Sequence, residues 1–297
     1  VQLIPGPDIG TTEEEYYTAL EKAGLQQFIR KGLLSNISKK YSLPLDNIVT
    51  AYGAIVASDV LLKTLDLNSE TGNIRYVIEG FGKVGTGIAA ILHGNANLVG
   101  ISTQYGSIGD TDGFEILQLI ELHQTYGDYL VDKFQEKMEV LDLFEIPCDI
   151  MIPGARTGII TENIAQKIVN RSRPKVVVPV SNAPYTEKGL QILQKNGIIC
   201  FPDFIASAGA VIAAMIEFAD AGGENEAMNL VKKAITKETE ELVHETMQST
   251  GSLKLIYNFA ISKSKRRKLE ILETFKTSEG SLNIDKLANE VIQRYTS

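Results

Sequence analysis

The stretch from Arg75 to Leu92, RYVIEGFGKVGTGIAAIL, constrains this chain more than any other. RYVIE is a short, mostly apolar run of the kind found in strands buried on both faces. Glycines follow at Gly80, Gly82 and Gly85, and KVGTGIAAIL then reads as a helix. Strand, glycine turn and helix in that order form a unit in which each glycine has its own task. Gly80 permits the tight turn, Gly82 lets backbone approach a pyrophosphate, and Gly85 lets the helix lie close to the strand. The helix start adds unpaired N–H groups and partial positive charge for the phosphates. The whole turn, Gly80, Phe81, Gly82, Lys83, Val84 and Gly85, is therefore a candidate dinucleotide-binding element. The competing reading is a packing turn without a ligand.

The surrounding chain repeats the pattern. Apolar runs at Asn97–Ser102, Asp149–Ile152, Lys175–Val180 and Ile198–Phe201 read as further strands. Helical spacing appears at Lys83–His93, Thr161–Asn170 and Glu187–Lys195. This alternation predicts an α/β fold, a doubly wound parallel sheet with right-handed crossovers, over residues 49–220. Residues 1–48 form a small N-terminal region with a capping box at Thr11 and Glu14. Residues 221–297 carry no strand pattern and predict a C-terminal helical region broken at Gly251 and Gly280.

Composition narrows the function. A net charge of −8 over 297 residues argues against a general nucleic-acid binder. The basic run Lys263–Lys268 reads as a solvated helix face. Two cysteines, Cys148 and Cys200, and three histidines offer no metal-ligand spacing, so no metal site is expected. Both cysteines sit in apolar runs and predict buried reduced thiols, which fits a cytoplasmic protein. No stretch reads as long and apolar enough to span a membrane, and VQLIPGPDIG is not a signal peptide pattern.

One feature of a dinucleotide site is missing. A carboxylate is expected at the end of the second strand, to bind the ribose 2′-hydroxyl. Thr103 holds that place, within Ser102-Thr103-Gln104, while Asp110 and Asp112 come later. Lys83 could reach a 2′-phosphate, so NAD and NADP both stay open.

Separated motifs now converge. They are IPGPDIGT (4–11), TAYG (50–53), EGFGKVG (79–85), GSIGDTDG (106–113), CDIMIPGA (148–155), VPVSNAPYT (178–186) and PDFIASAGAVIAAMIEF (202–218). In this order they resemble the glutamate/leucine/phenylalanine/valine dehydrogenase family, the glutamate type most of all. The resemblance implies a Rossmann-type cofactor domain, NAD or NADP as cofactor, and oxidative deamination of an L-amino acid to a 2-oxo acid and ammonia. It implies a homo-oligomer, smaller here than the family's frequent hexamers, or a partner of a paralogous subunit, with no nucleic-acid or membrane partner. Carried over by position, Asp8 matches the proton-transfer aspartate, and its other reading is a turn residue. Thr50 matches the threonine that contacts the nicotinamide amide, against a helix N-cap. Ala155 ends a strand motif lining the cofactor. Asn182 matches the asparagine at the nicotinamide end, against a turn asparagine before Pro184. Ser207 stands where an asparagine usually faces substrate, and Ala214 where glutamate-specific members place a serine.

The departures matter as much. The family's lysine-bearing glycine motifs precede the Pro-x-Pro-Asp segment, and nothing before Ile4 supplies them. Tyr52 replaces an arginine and Ala51 a glycine. Loss of a group that stabilises developing charge costs on the order of 10²–10³ in rate. Residues 1–48 thus read as a remnant of the substrate domain. Two functions remain: an amino-acid dehydrogenase, with activity of this chain alone in question, or a catalytically inactive nucleotide-binding paralogue.

Overall fold

A computed structural model describes residues 18, 21–22, 33–67, 74–219, 221–274 and 284–296. Asp8, the Thr11/Glu14 capping box and the break at Gly280 lie outside the described residues.

Six strands form one sheet in the order β3-β2-β1-β4-β5-β6. They are β1 (Arg75–Glu79), β2 (Asn97–Thr103), β3 (Gly106–Gly109), β4 (Ile150–Pro153), β5 (Val176–Val177) and β6 (Ile199–Cys200). Ile78 sits opposite Ile101 on one side and Ile152 on the other, both in parallel register. The fold is of α/β, Rossmann type, with one departure from the all-parallel expectation. β3 runs antiparallel to β2, with Thr103 opposite Gly106. GSIG carries glycine at both ends and only one large apolar residue, so nothing marks it as a strand. The strands β5 and β6 are shorter than Lys175–Val180 and Ile198–Phe201. Pro179 has no N–H to extend the ladder, although Val178 and Val180 still donate to Met151 and Pro153 carbonyls at 2.9 and 2.8 Å.

Alternate strand side chains feed two cores. Tyr76, Ile78, Leu98, Ile101, Ile150 and Ile152 face the first, Val77, Val99, Met151 and Val177 the second. The first core is covered by α1 (Leu45–Thr64), α2 (Lys83–Leu92), α3 (Ile116–Tyr126), α7 (Gly209–Phe218) and α8 (Glu224–Thr250). The second is covered by α4 (Glu162–Lys167) and α5 (Glu187–Lys195). A short helix, α6 (Asp203–Ala206), precedes α7.

Helix α1 corrects two expectations. It is long and apolar enough to cross a membrane, yet 78% of its apolar window is buried inside the protein, as in a core helix. It also runs unbroken through residues 48–49, so that boundary falls inside a helix, and Thr50 is not an N-cap.

Helix α8 ends at Gly251, whose φ of +69° makes the expected break. α9 (Ile256–Thr274) and α10 (Ile284–Thr296) then pack against α8. The basic run lies on α9, where Lys263 pairs with Glu245 at 2.8 Å and Arg267 with Glu238 at 3.3 Å. Cys148 and Cys200 are buried free thiols.

Candidate functional site

The order of strands reverses between β1 and β4, and ligands of open α/β sheets bind outside the strand ends at such a point. The three glycines of the turn differ there in what fixes them. Gly80 has φ of +92°, and an added Cβ would stand 2.8 Å from the Ala155 Cβ. At Gly85 a Cβ would collide with the Gly80 carbonyl. Both are therefore required by the fold itself. Gly82 is not: its φ is −95°, and nothing lies within 4 Å of a Cβ built on it. Its bareness leaves an open approach to the start of α2, which no side chain caps.

Lys83 is exposed and Val84 half-buried in the first turn of α2. Phe81 is fully buried instead and meets His123 edge-on, ring centroids 5.8 Å apart. Its N–H donates to the Ser102 carbonyl at 2.7 Å, and the Gly80 N–H to Ser102 Oγ at 3.2 Å. The Phe81 side chain thus anchors the turn from beneath, and only its backbone belongs to the turn's surface.

Glu79 is the residue that sequence reasoning missed. Its side chain is 2% exposed at the last position of β1. Oε2 accepts the N–H groups of Gly154 at 3.0 Å and Ala155 at 2.8 Å, and Oε1 stands 4.0 Å from Arg156 Nε. Burial raises its pKa, against the opposing pull of these N–H groups and of Arg156. The available signal was an acid closing an otherwise buried strand directly before the glycine turn.

Further along the same edge, Asn182 is exposed in the loop after β5. The next residue, Ala183, has φ of +44° and donates its N–H to the buried Asp203 Oδ2 at 2.9 Å. Burial, then the Asp203 carboxylate, pushes the Tyr257 phenol up to about 12. Ser207 ends α6, its hydroxyl donating to the Asp203 carbonyl at 2.8 Å. Thr50 spends its hydroxyl likewise on the Asp46 carbonyl, at 3.1 Å. The α1 and α6–α7 backbones touch here: a Cβ on Gly53 would stand 2.8 Å from the Ala206 carbonyl, and one on Gly209 would overlap the Val49 carbonyl. Thr50 and Ser207 are thereby brought to one junction, with Ala214 half-buried further along α7.

At the end of β2, Thr103 is 5% exposed, and its hydroxyl donates to the Asp128 carbonyl at 2.8 Å while accepting the Tyr105 N–H at 3.2 Å. Asp110 and Asp112 are carried by β3 back toward the other end of β2, where the Asp110 N–H meets the Val99 carbonyl. A cavity of about 540 Å³ between α1 and α8 is lined by Tyr52, Asp59, Lys63 and Lys232, but by none of the turn residues.

A turn bare at the one glycine that packing does not demand, before an uncapped helix at the switch point, fits a dinucleotide pyrophosphate. Residues 45–266 match the family model of the Glutamate/Leucine/Phenylalanine/Valine dehydrogenases. The chain belongs to this family. Among dehydrogenases of known sequence it is 32% identical to the NAD-specific glutamate dehydrogenase of Staphylococcus aureus (strain COL), over 223 residues that make up 72% of this chain and 51% of that protein. It is 36% identical to the cryptic catabolic NAD-specific glutamate dehydrogenase GudB of Bacillus subtilis (strain 168), over 145 residues, 48% of this chain and 33% of that protein. Its fold is similar to that of Plasmodium falciparum glutamate dehydrogenase, with a TM-score of 0.65 at 18% identity over 88% of this chain and 60% of that one. L-tryptophan dehydrogenase from Nostoc punctiforme gives a TM-score of 0.56 at 15% identity, over 98% of this chain and 67% of that one. The chain spans about half the length of the first of these relatives. The family match begins at Leu45, the first residue of α1, and so takes in the whole of α1, the sheet, α8 and part of α9.

Proposed function

We propose that this chain forms the cofactor-binding part of an NAD(P)-dependent amino-acid dehydrogenase of glutamate type, which deaminates an L-amino acid oxidatively to a 2-oxo acid and ammonia. The observation that carries the reading is Gly82, a glycine that internal packing does not require, at the uncapped start of α2. The names of the sequence relatives, NAD-specific glutamate dehydrogenases, support the same activity and favour NAD.

When bound, a nicotinamide supplies the acceptor for the hydride that leaves the substrate Cα. The chain's own residues bind and orient. Gly82, Lys83 and Val84 present backbone N–H groups at the helix start to the pyrophosphate. Glu79 holds the Gly154 and Ala155 N–H groups and so fixes the far wall of the crevice. Asn182, held in place by the Ala183–Asp203 bond, and the Thr50–Ser207 junction stand at the nicotinamide end. Asp8 is assigned the proton transfers at the amino group and the attacking water. A small-molecule substrate and a homo-oligomeric cytoplasmic assembly complete the reading.

The test is a fluorescence titration of the chain with NADH and NADPH, followed by an assay of NAD(P)H production from L-glutamate and other L-amino acids. Binding of at least one dinucleotide is expected, and any turnover should vanish in Asp8→Asn. No spectral change up to millimolar NADH or NADPH would sink the proposal.

A further inference from the structure

The end of β2 lacks its ribose acid, and the residue in that place cannot substitute for it. The Thr103 hydroxyl is buried and committed on both sides, to the Asp128 carbonyl and the Tyr105 N–H. The same bond has a second consequence. It draws the 3-10 segment Gly127–Lys133 against the end of β2, and with it the Asp128 side chain.

That carboxylate is held by one hydrogen bond and flanked by one ring. Oδ2 accepts an N–H from Gln104 Nε2 at 2.8 Å, from the residue that follows Thr103. Oδ1 stands 3.9 Å from His123 Nε2, and the His123 ring touches Phe81 of the glycine turn. Asp128 is thus linked through one contact to the end of β2 and through another to the turn. Its side chain remains 34% exposed. Beside it Tyr105 and Tyr129 stack at 4.1 Å and 14°, and they are 39% and 53% exposed. An exposed aromatic pair is a surface on which a purine base can stack.

We infer that Asp128 reads the ribose 2′-hydroxyl of the adenosine half of the dinucleotide, in place of the acid that Thr103 lacks, and that the Tyr105–Tyr129 pair receives the adenine. This rests on the reading that the glycine turn binds a dinucleotide. A carboxylate accepts a hydrogen bond from the 2′-hydroxyl and repels a 2′-phosphate, so the site selects NAD(H) over NADP(H). The acid arrives 25 residues after Thr103, from a different element. Lys83, exposed in the turn, is the rival determinant and would favour the 2′-phosphate instead.

The experiment measures dissociation constants of NADH and NADPH by fluorescence for the whole chain, for Asp128→Asn and for Asp128→Ser. The wild type should bind NADH about tenfold or more tightly than NADPH, the size of a hydrogen bond to a charged group. Both variants should weaken NADH about tenfold while NADPH binding holds or tightens, and the retained NADPH binding reports an intact fold. A wild type that prefers NADPH, an unchanged ratio in both variants, or an equal loss of both ligands overturns the assignment. A wild type that binds neither ligand instead removes the cofactor reading itself.

Discussion

The Glu79 carboxylate meets the Ala155 N–H at 2.8 Å, across the line where the order of the sheet reverses. The same oxygen takes the Gly154 N–H, and Gly80 lies so close to Ala155 that no side chain fits between them. The end of β1, the glycine turn and the loop after β4 are therefore one unit. The crevice between them is set by covalent neighbours and buried hydrogen bonds before any ligand arrives.

Replacing Glu79 tests that unit. Burial raises its folded pKa, so the folded protein holds this proton to higher pH than the unfolded chain does. The associated stability is complete below the ordinary glutamate pKa, near 4.3, and is lost as pH rises through the raised value. Glu79→Gln keeps an acceptor for the two N–H groups and carries no charge. Its stability relative to wild type should be greatest at neutral pH and shrink on acidification toward about pH 4. Glu79→Ala should cost about 1–3 kcal/mol for the Ala155 N–H left without its partner, while the Gly154 N–H keeps the Glu79 carbonyl at 2.8 Å. Thermal unfolding across pH checks both, and a pH-independent difference between Gln and wild type would refute the argument.

The first two glycines of the turn, Gly80 and Gly82, should separate stability from binding. Gly80→Ala must adopt φ of +92° and press on Ala155, which should cost about 1–3 kcal/mol. Gly82→Ala meets no neighbour, so its unfolding midpoint should stay near that of wild type. Its methyl group instead fills the approach to the helix start, and NADH affinity should fall about tenfold, the equivalent of about 1.4 kcal/mol. An equal unfolding penalty at both positions, or unimpaired NADH binding by Gly82→Ala, would contradict the division of tasks.

Much of this site was legible before the fold was known, for a physical reason. Buried parallel strands are nearly continuous in apolar residues, and β1 runs from Arg75 to Glu79 as its composition predicts. The positions of Gly80, Gly82 and Gly85 follow from backbone geometry that sequence spacing encodes directly. What was hidden depends on contacts distant in sequence. Glu79 reads as an ordinary charge until the loop after β4 is placed against it, 75 residues away. Thr50 reads as a cap because the apolar helix around it has no N-terminal signal, Pro44 preceding it without a capping side chain. β3 escaped because an edge strand needs only one apolar face and here uses Ile108 alone.

A buried acid helps to hold the loop bearing Asn182, beside the bonds from the Ser181 N–H to the Pro153 carbonyl and from the Gly158 N–H to the Ala183 carbonyl. Asp203 Oδ2 accepts the Ala183 N–H at 2.9 Å, at a residue whose φ of +44° disfavours any side chain. Asp203→Ala should destabilise the protein by about 1–3 kcal/mol and speed amide exchange at Ala183. Asp203→Asn keeps an acceptor oxygen and should retain most of the protection. Equal exchange in the two variants would mean that the loop is held by other contacts.

One carboxylate of α8 ties both C-terminal helices, beside the Lys263–Glu245 pair and the packing of Ile256, Ala288 and Ile292. Glu238 of α8 accepts hydrogen bonds from Arg267 of α9 at 3.3 Å, from Arg294 of α10 at 3.1 Å, and from the Tyr295 hydroxyl. Burial, then the Glu238 carboxylate, raises the Tyr295 pKa, so this phenol stays a donor through the neutral range. The Glu238 side chain is partly exposed, which discounts each ion pair, but one removal breaks all three bonds at once. Glu238→Ala should therefore cost about 1–2 kcal/mol. The loss should concentrate in residues 284–296, as faster amide exchange and earlier proteolysis there. Dinucleotide binding should not change, because the glycine turn lies on β1 and α2. Faster exchange across the whole sheet instead would show that Glu238 also supports the core, against which Ile292 and Tyr295 pack.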